Sequence, residues 1–132
     1  LPETSPQETV EAFEKNGSPA FRLMLGFMAV ITAPLTEELL FRGAVLPTLV
    51  PHVGTAAAVL LSALAFGLLH VPRTRSLVPW TATACVMGGV FAALYVATGE
   101  VLAPIAAHAV VNYENLHFIL ANDLSDRAAT VG

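Results

Sequence analysis

Four long apolar runs constrain what this 132-residue chain can fold into more than any other feature of its sequence. Their approximate bounds are residues 21–50, 55–70, 77–97 and 101–121. Each has, or nearly has, the roughly 20 residues that a helix needs to cross a bilayer. Because the runs are too long and too rich in Ala and Leu for β-strands, we expect transmembrane helices.

The composition supports lipid as the solvent for much of the surface. Hydrophobic residues make up 55% of the chain and charged residues only 12%, whereas ordinary soluble domains carry about 25% charged residues. This balance excludes a disordered chain and a nucleic-acid-binding domain, and it argues against a soluble globule. The single cysteine, Cys85, cannot form an internal disulfide. We therefore expect the lipid bilayer, and no nucleic acid, as a partner.

The predicted fold class is all-α: an integral membrane bundle of about four transmembrane helices preceded by a short interfacial helix. Residues 1–19 form a polar lead-in, in which Ser5 begins that short helix as its N-cap. Residues 20–122 form the membrane core, and residues 123–132 a polar tail. Since the chain begins at Leu1 rather than at Met, we expect it to be a piece of a longer protein with further spans upstream.

The distribution of basic residues predicts the orientation. With four spans, both ends and the 71–76 loop lie on one side of the membrane. That side collects every lysine and arginine outside the spans, namely Lys15, Arg22, Arg73, Arg75 and Arg127. The positive-inside rule then places both ends in the cytoplasm, and we expect a bacterial-type cell membrane.

Several polar side chains interrupt the apolar runs. An ionisable group at bilayer depth costs about 2.5–3.5 kcal/mol on insertion scales and marks a functional site by default. The interrupting residues are Glu37, Glu38, Arg42, His70, His108 and Asn112. The structural alternative is a set of hydrogen bonds between helices together with one ion pair.

The spacing of these residues separates their roles. Glu38 and Arg42 are four residues apart with the acid first, which favours an ion pair. Glu37 points about 100° away around the helix and is available as a general base. Phe66 and His70 have the same spacing, so the phenyl ring can brace the imidazole.

The fourth run carries a polar stripe in which His108 and Asn112 share a face that Asn115 extends. Because this stripe leads toward the cytoplasmic end, we predict a cavity open to the cytoplasm. Counting at about 1.5 Å per residue puts His108 roughly 10 Å shallower than Glu37 and His70. Tilt, or an unwound start to this run around 99–104, is needed to bring the three level.

One carboxylate, two imidazoles and an amide from three helices suit hydrolysis. Glu37 would take a proton from water, His70 would hold that water or shuttle its proton, and His108 and Asn112 would donate to the oxyanion. The carboxylate and the two imidazoles are also a zinc ligand set. However, the sequence contains no HExxH motif, which is the strongest sequence sign of a helix-borne zinc protease. A divalent metal such as zinc remains one alternative.

Three motifs in this order resemble a known family. Glu37-Glu38 with Arg42 is similar to its EExxxR motif, Phe66 with His70 to its FxxxH motif, and His108 with Asn112 to its HxxxN motif. The family is the CPBP group, which contains type II CAAX prenyl endopeptidases, bacteriocin-processing and immunity proteins, and lysostaphin-resistance-like proteins. The resemblance covers about residues 20–120, with each motif on an apolar run.

The resemblance implies an intramembrane, glutamate-dependent endopeptidase. It implies Glu37 as the base, His70 as its assistant, His108 and Asn112 as oxyanion donors, and Glu38 with Arg42 as a supporting pair. The family has been described both as metalloproteases and as metal-free enzymes, and we favour the metal-free mechanism. The substrate would be a peptide or protein reached from the membrane. One alternative is a non-catalytic immunity or scaffold protein of the same fold. A small transporter that uses the carboxylate as a proton relay is another, although no paired discontinuous helices are evident.

Overall fold

The computed structural model of the chain describes residues 18–70 and 77–131, and its regular elements over those ranges are all helical. The predicted interfacial helix and the 71–76 loop lie outside the described residues. In chain order the elements are α1 (Pro19–Phe27), a π-helical segment (Met28–Thr32), α2 (Ala33–Leu40), a second π-helical segment (Phe41–Val45), α3 (Leu46–Val53), α4 (Thr55–Leu69), α5 (Leu77–Thr98) and α6 (Leu102–Val131). The all-α prediction is therefore confirmed for the described part of the chain.

Two helical stretches are long and apolar enough to cross a membrane. They are the continuous run Pro19–Val53, of 35 residues, and Pro79–Thr98, of 20 residues, whereas the apolar helix Thr55–Leu69 is shorter. Only 11% and 17% of the most apolar windows of the two stretches are buried inside the protein. A core helix of a soluble protein would be mostly buried, so this exposure favours contact with lipid.

Glycines with positive φ make the two described turns. Gly54, at φ 79°, separates α3 from α4, and Gly99, at φ 72°, follows α5. A side chain would be strained at either position because φ lies in the left-handed region. The helix resumes at Leu102, so the unwound start to the fourth run is shorter than the 99–104 considered from the sequence. At its other end α6 continues to Val131, so the predicted polar tail is helical as far as that residue.

The chain divides into two compact units. One contains Pro34–His108, and the other contains the described residues up to Ala33 and from Ala109 onward. In the first unit, an apolar core forms around Leu46, Ala58 and Ala92. In the second, α1 packs on α6 where Gly26 faces the Leu116 side chain.

Small residues let α4 and α5 approach closely within the first unit. A Cβ atom added to Gly67 would lie 2.0 Å from Cys85 Sγ, and one added to Gly88 would lie 3.1 Å from Phe66 Cδ1. The pairing of Gly67 with Cys85 and of Gly88 with Ala63 shows that the two helices run antiparallel. Close backbone approach at small residues is how helices pack where no hydrophobic force drives them together.

Each π-helical segment ends two residues before a proline. Ala33, just before Pro34, donates its N–H to the Met28 carbonyl five residues back. Leu46, just before Pro47, donates likewise to the Phe41 carbonyl. Proline has no N–H, and its ring crowds the carbonyl four residues earlier. A widened turn relieves that crowding, which accounts for the position of both segments.

Candidate active site

The interior of the Pro34–His108 unit contains polar and charged side chains beside its apolar core. Its buried polar side chains are Glu38, Arg42, Ser62 and His108, while many large apolar side chains, such as Leu60, Leu68 and Val86, are exposed. Buried charges must be paired and hydrogen-bonded to be tolerated. The site is therefore best described through the partners of each charged group.

Glu38 and Arg42 form the ion pair that their spacing predicts. Arg42 Nη1 lies 3.0 Å from each carboxylate oxygen of Glu38, and both side chains are fully buried. Arg42 Nη2 donates to the carbonyl of Gly88 on α5. The guanidinium carbon also lies 5.0–5.7 Å from the ring centres of Phe41, Phe66 and Phe91. Arg42 thus joins the π-helical segment to α4 and α5.

Glu38 has a second partner, His108, which the sequence analysis did not anticipate. His108 Nδ1 lies 2.9 Å from Glu38 Oε1. Since an ionised carboxylate only accepts hydrogen bonds, the ring carries its hydrogen on Nδ1. Phe91 stacks on the same imidazole, with ring centres 4.7 Å apart and planes inclined by 21°. These two contacts fix the ring with Nε2 directed toward Glu37.

Phe66 holds His70 by both its ring and its backbone. The two rings stack with centres 4.4 Å apart, which confirms the expected brace. In addition, His70 Nδ1 lies 2.7 Å from the Phe66 carbonyl oxygen. A carbonyl only accepts, so this ring too carries its hydrogen on Nδ1 and presents Nε2 to the site.

The two imidazoles meet at Glu37. Glu37 Oε2 lies 3.5 Å from His70 Nε2 and 3.8 Å from His108 Nε2. The oxygen atom is buried and accepts no hydrogen bond within the protein, although 28% of the Glu37 side chain is exposed. The predicted convergence of the three side chains is confirmed, and the difference in depth counted along the runs does not keep them apart.

Asn112 lies on α6, in the compact unit that also contains Ala29. Its amide Nδ2 donates to the carbonyl of Ala29 at 2.9 Å. The amide retains a second N–H, and its role as an oxyanion donor stays a prediction from the sequence. Asn115, which extends the polar stripe, is exposed.

The donor types at Glu37, His70 and His108 are those of a His₂Glu zinc set. Across the described residues, 18–70 and 77–131, a search for groups of three or more His, Cys, Asp or Glu side chains placed to hold a metal ion finds none.

Comparisons with known proteins agree with the three motifs. A family model described as "Type II CAAX prenyl endopeptidase Rce1-like" matches residues 19–113. The chain belongs to this family. The matched range includes Glu37, His70 and His108, as well as Asn112 on α6.

Curated relatives carry the same family name. CAAX prenyl protease 2 of Homo sapiens is 31% identical over 98 aligned positions, covering 63% of this chain and 30% of that protein. CAAX prenyl protease 2 of Rattus norvegicus is 32% identical over 83 positions, covering 63% of this chain and 25% of that protein. The chain thus spans less than a third of the length of either relative. No solved structure matches it.

Proposed function

We propose that this chain carries the catalytic core of an intramembrane, glutamate-dependent endopeptidase. The observation that supports this most is the buried Glu37 Oε2, unpartnered within the protein and within 4 Å of two imidazole nitrogens. Such a carboxylate is placed to take a proton from a water molecule. Membership of an endopeptidase family gives the reaction class.

Water activation follows from the hydrogen positions on the two rings. With hydrogens on Nδ1, neutral His70 and His108 both present an Nε2 lone pair toward Glu37 Oε2. Three acceptors that face one another require a donor among them, and a water molecule has two O–H groups. Glu37 takes one proton as the water oxygen bonds to the scissile carbonyl carbon. The C–N bond then breaks, and the proton passes to the leaving amine, with His70 as the shuttle.

His108 can serve the oxyanion only after it takes up a further proton from solvent, which changes Nε2 from an acceptor toward the water into a donor toward the carbonyl oxygen; the proton returns to solvent after the C–N bond has broken. Its Nδ1 hydrogen is committed to Glu38, so Nε2 donates only when the ring is an imidazolium. Glu38 stabilises that cation, as a carboxylate does behind the histidine of a catalytic triad. Asn112 supplies the second oxyanion donor in this proposal, on the grounds of its spacing from His108 along α6.

The membrane arrangement we propose has four spans, with both ends of the chain in the cytoplasm and the cavity open on that side. The two helical stretches of spanning length and the exposed apolar side chains support residence in a bilayer. A bacterial-type cell membrane remains our proposal for the location. Labelling by a water-soluble thiol reagent of a cysteine introduced at Asn115 tests the orientation, and labelling only from the non-cytoplasmic side would reverse it.

The names of the human and rat relatives indicate the substrate class. They are CAAX prenyl proteases, so we propose a prenylated C-terminal CAAX peptide as the substrate. The test is cleavage by the purified full-length protein in detergent of farnesylated and unprenylated versions of one CAAX peptide, followed by mass spectrometry. We expect cleavage of the farnesylated peptide only.

Glu37→Gln tests the catalytic role in the same assay. We expect a loss of kcat of about 10²–10⁴-fold, the range that general-base catalysis contributes. Glu100→Gln, which changes an exposed acid beside the Gly99 turn, is the matched control and should cleave normally. Binding of the peptide without cleavage by the wild-type protein would favour the scaffold alternative. Proton uptake without cleavage would favour a transporter.

A further inference from the structure

The carbonyl of Ala29 lies where the backbone hydrogen-bonding register is π-helical. In the first π-helical segment (Met28–Thr32), the amide of Ala33 donates to Met28. The next amide in that register, five residues after Ala29, would belong to residue 34. Because residue 34 is proline, it has no N–H to give. Pro34 therefore removes the donor that the π-helical register would next bring to the Ala29 carbonyl.

A side chain from a distant part of the sequence supplies the missing donor. Asn112 Nδ2, on α6, lies 2.9 Å from the Ala29 oxygen, and both residues belong to the same compact unit. The contact is part-buried and joins residues 83 positions apart. A carbonyl left without a donor in a membrane is destabilising, since no water is present to pair with it.

We propose that Asn112 replaces the N–H that Pro34 removes and thereby secures α6 to the π-helical segment. Pro34 and Asn112 then act together: the proline withholds a backbone donor from the Ala29 carbonyl, and the Asn112 amide supplies a side-chain donor in its place. Asn112 thereby has a structural role within its own unit, in addition to any donation of its second N–H. The proposal concerns the bond between Asn112 and Ala29, which lie in the same unit, so it stands or falls independently of catalysis.

A double-mutant cycle tests this coupling. The full-length protein in detergent is prepared as wild type, Asn112→Ala, Pro34→Ala and the double variant, and its Tm is measured. With Pro34 present, Asn112→Ala should lower the Tm by about 2–4 °C, as expected for one hydrogen bond to a buried group. In the Pro34→Ala background, residue 34 regains an N–H that can serve Ala29, so the same substitution should lower the Tm by less than half as much.

Two controls make the result specific. Pro47→Ala alters the equivalent proline after the second π-helical segment, so Asn112→Ala should keep its full effect in that background. Asn115→Ala removes an exposed amide from the same helix and should leave the Tm unchanged. An equal effect of Asn112→Ala with and without Pro34, or an effect no larger than that of Asn115→Ala, would overturn the proposal.

A second measurement serves if Pro34→Ala does not fold. The carbonyl ¹³C resonance of Ala29 should move upfield in Asn112→Ala and in Asn112→Asp, because neither variant can donate to it. An unchanged resonance would overturn the proposal. Absence of any peptide cleavage would contradict the proposed function but would leave both of these readouts intact.

Discussion

Glu37 and Glu38 are neighbours in the sequence, but the structure places them in different surroundings. Glu38 is fully buried and is held by Arg42 and His108. Glu37 is 28% exposed, and its Oε2 lies 3.5 Å from His70 without any hydrogen bond from the protein. The same side chain is therefore fully paired at one position, and at the next it has the environment that the proposed reaction requires.

The difference between them arises from the helix itself. Successive residues on a helix point about 100° apart, so a pair of adjacent acids must face two different sets of neighbours. Glu38 faces the Arg42 guanidinium, which neutralises it. Glu37 faces two imidazoles whose other nitrogens are already committed. A carboxylate that is suited to act as a base therefore differs from a structural one by the hydrogen-bond donors that it lacks, as well as by its position on the helix.

Arg42→Ala should produce the largest change in stability, because it leaves Glu38 buried without its cation. Removing one partner of a buried pair costs about 3–5 kcal/mol, so we expect little folded protein. The measurement is the yield and Tm of the detergent-solubilised protein. Glu114→Ala, which removes an exposed charged side chain from α6, is the control and should be obtained normally. A folded Arg42→Ala protein of normal Tm would show that Glu38 does not depend on this pair.

Much of this comparison could be predicted from the sequence. The helical runs followed from apolar length, and the Glu38–Arg42 pair and the Phe66–His70 brace followed from spacing of four residues along a helix. Local periodicity fixes contacts of this kind, because residues i and i+4 always share a face.

The remaining contacts depend on how helices pack, which spacing does not encode. Glu38 reaches His108 across 70 residues, and Phe91 covers that imidazole from α5. Gly88 indicates close approach of two helices, since small residues mark such contacts. Its presence in the sequence does not indicate that its carbonyl accepts a hydrogen bond from Arg42. The hydrogen bond from Asn112 to Ala29 was likewise not predicted, although Pro34 indicates that a backbone N–H is missing at that position.

Glu38→Gln should have an intermediate effect, measured as a loss of kcat. Glutamine keeps the size and one oxygen acceptor but loses the charge that stabilises an imidazolium at His108. We expect a 10–100-fold loss of kcat, the range seen when residues that orient functional histidines are altered, with KM little changed. The ¹⁵N spectrum of labelled His108 should lose its preference for hydrogen on Nδ1. An unaltered spectrum would contradict the positioning role of Glu38.

Phe66→Leu should have a smaller effect on both the stability of the protein and its kcat. The ring stacks on His70, meets His108 edge-on at 5.7 Å and lies 5.0 Å from the Arg42 guanidinium. Loss of these contacts should cost about 1–2 kcal/mol and lower kcat several-fold. Phe118→Leu, at an exposed position of α6, is the control for ring removal. Equal Tm values for the two variants would show that Phe66 is not a brace.

Chelation should have the smallest effect of all. Because water is activated by Glu37 in this account, cleavage should survive incubation with a strong chelator, and metal analysis should give sub-stoichiometric zinc. Loss of activity on chelation, followed by recovery with zinc, would make Glu37 a ligand and end the glutamate-base mechanism.

The central claim is that the two adjacent acids divide reactivity and structure between them. The most direct measurement is a parallel determination of kcat and Tm for Glu37→Gln and Glu38→Gln in the full-length protein. We predict that Glu37→Gln abolishes cleavage while its Tm stays at or above the wild-type value. The substitution removes the charge from a carboxylate whose Oε2 is buried without a hydrogen-bond partner in the protein. We also predict that Glu38→Gln lowers the Tm and retains measurable cleavage. The reverse pattern, with Glu38→Gln inactive but stable and Glu37→Gln active but unstable, would contradict the claim.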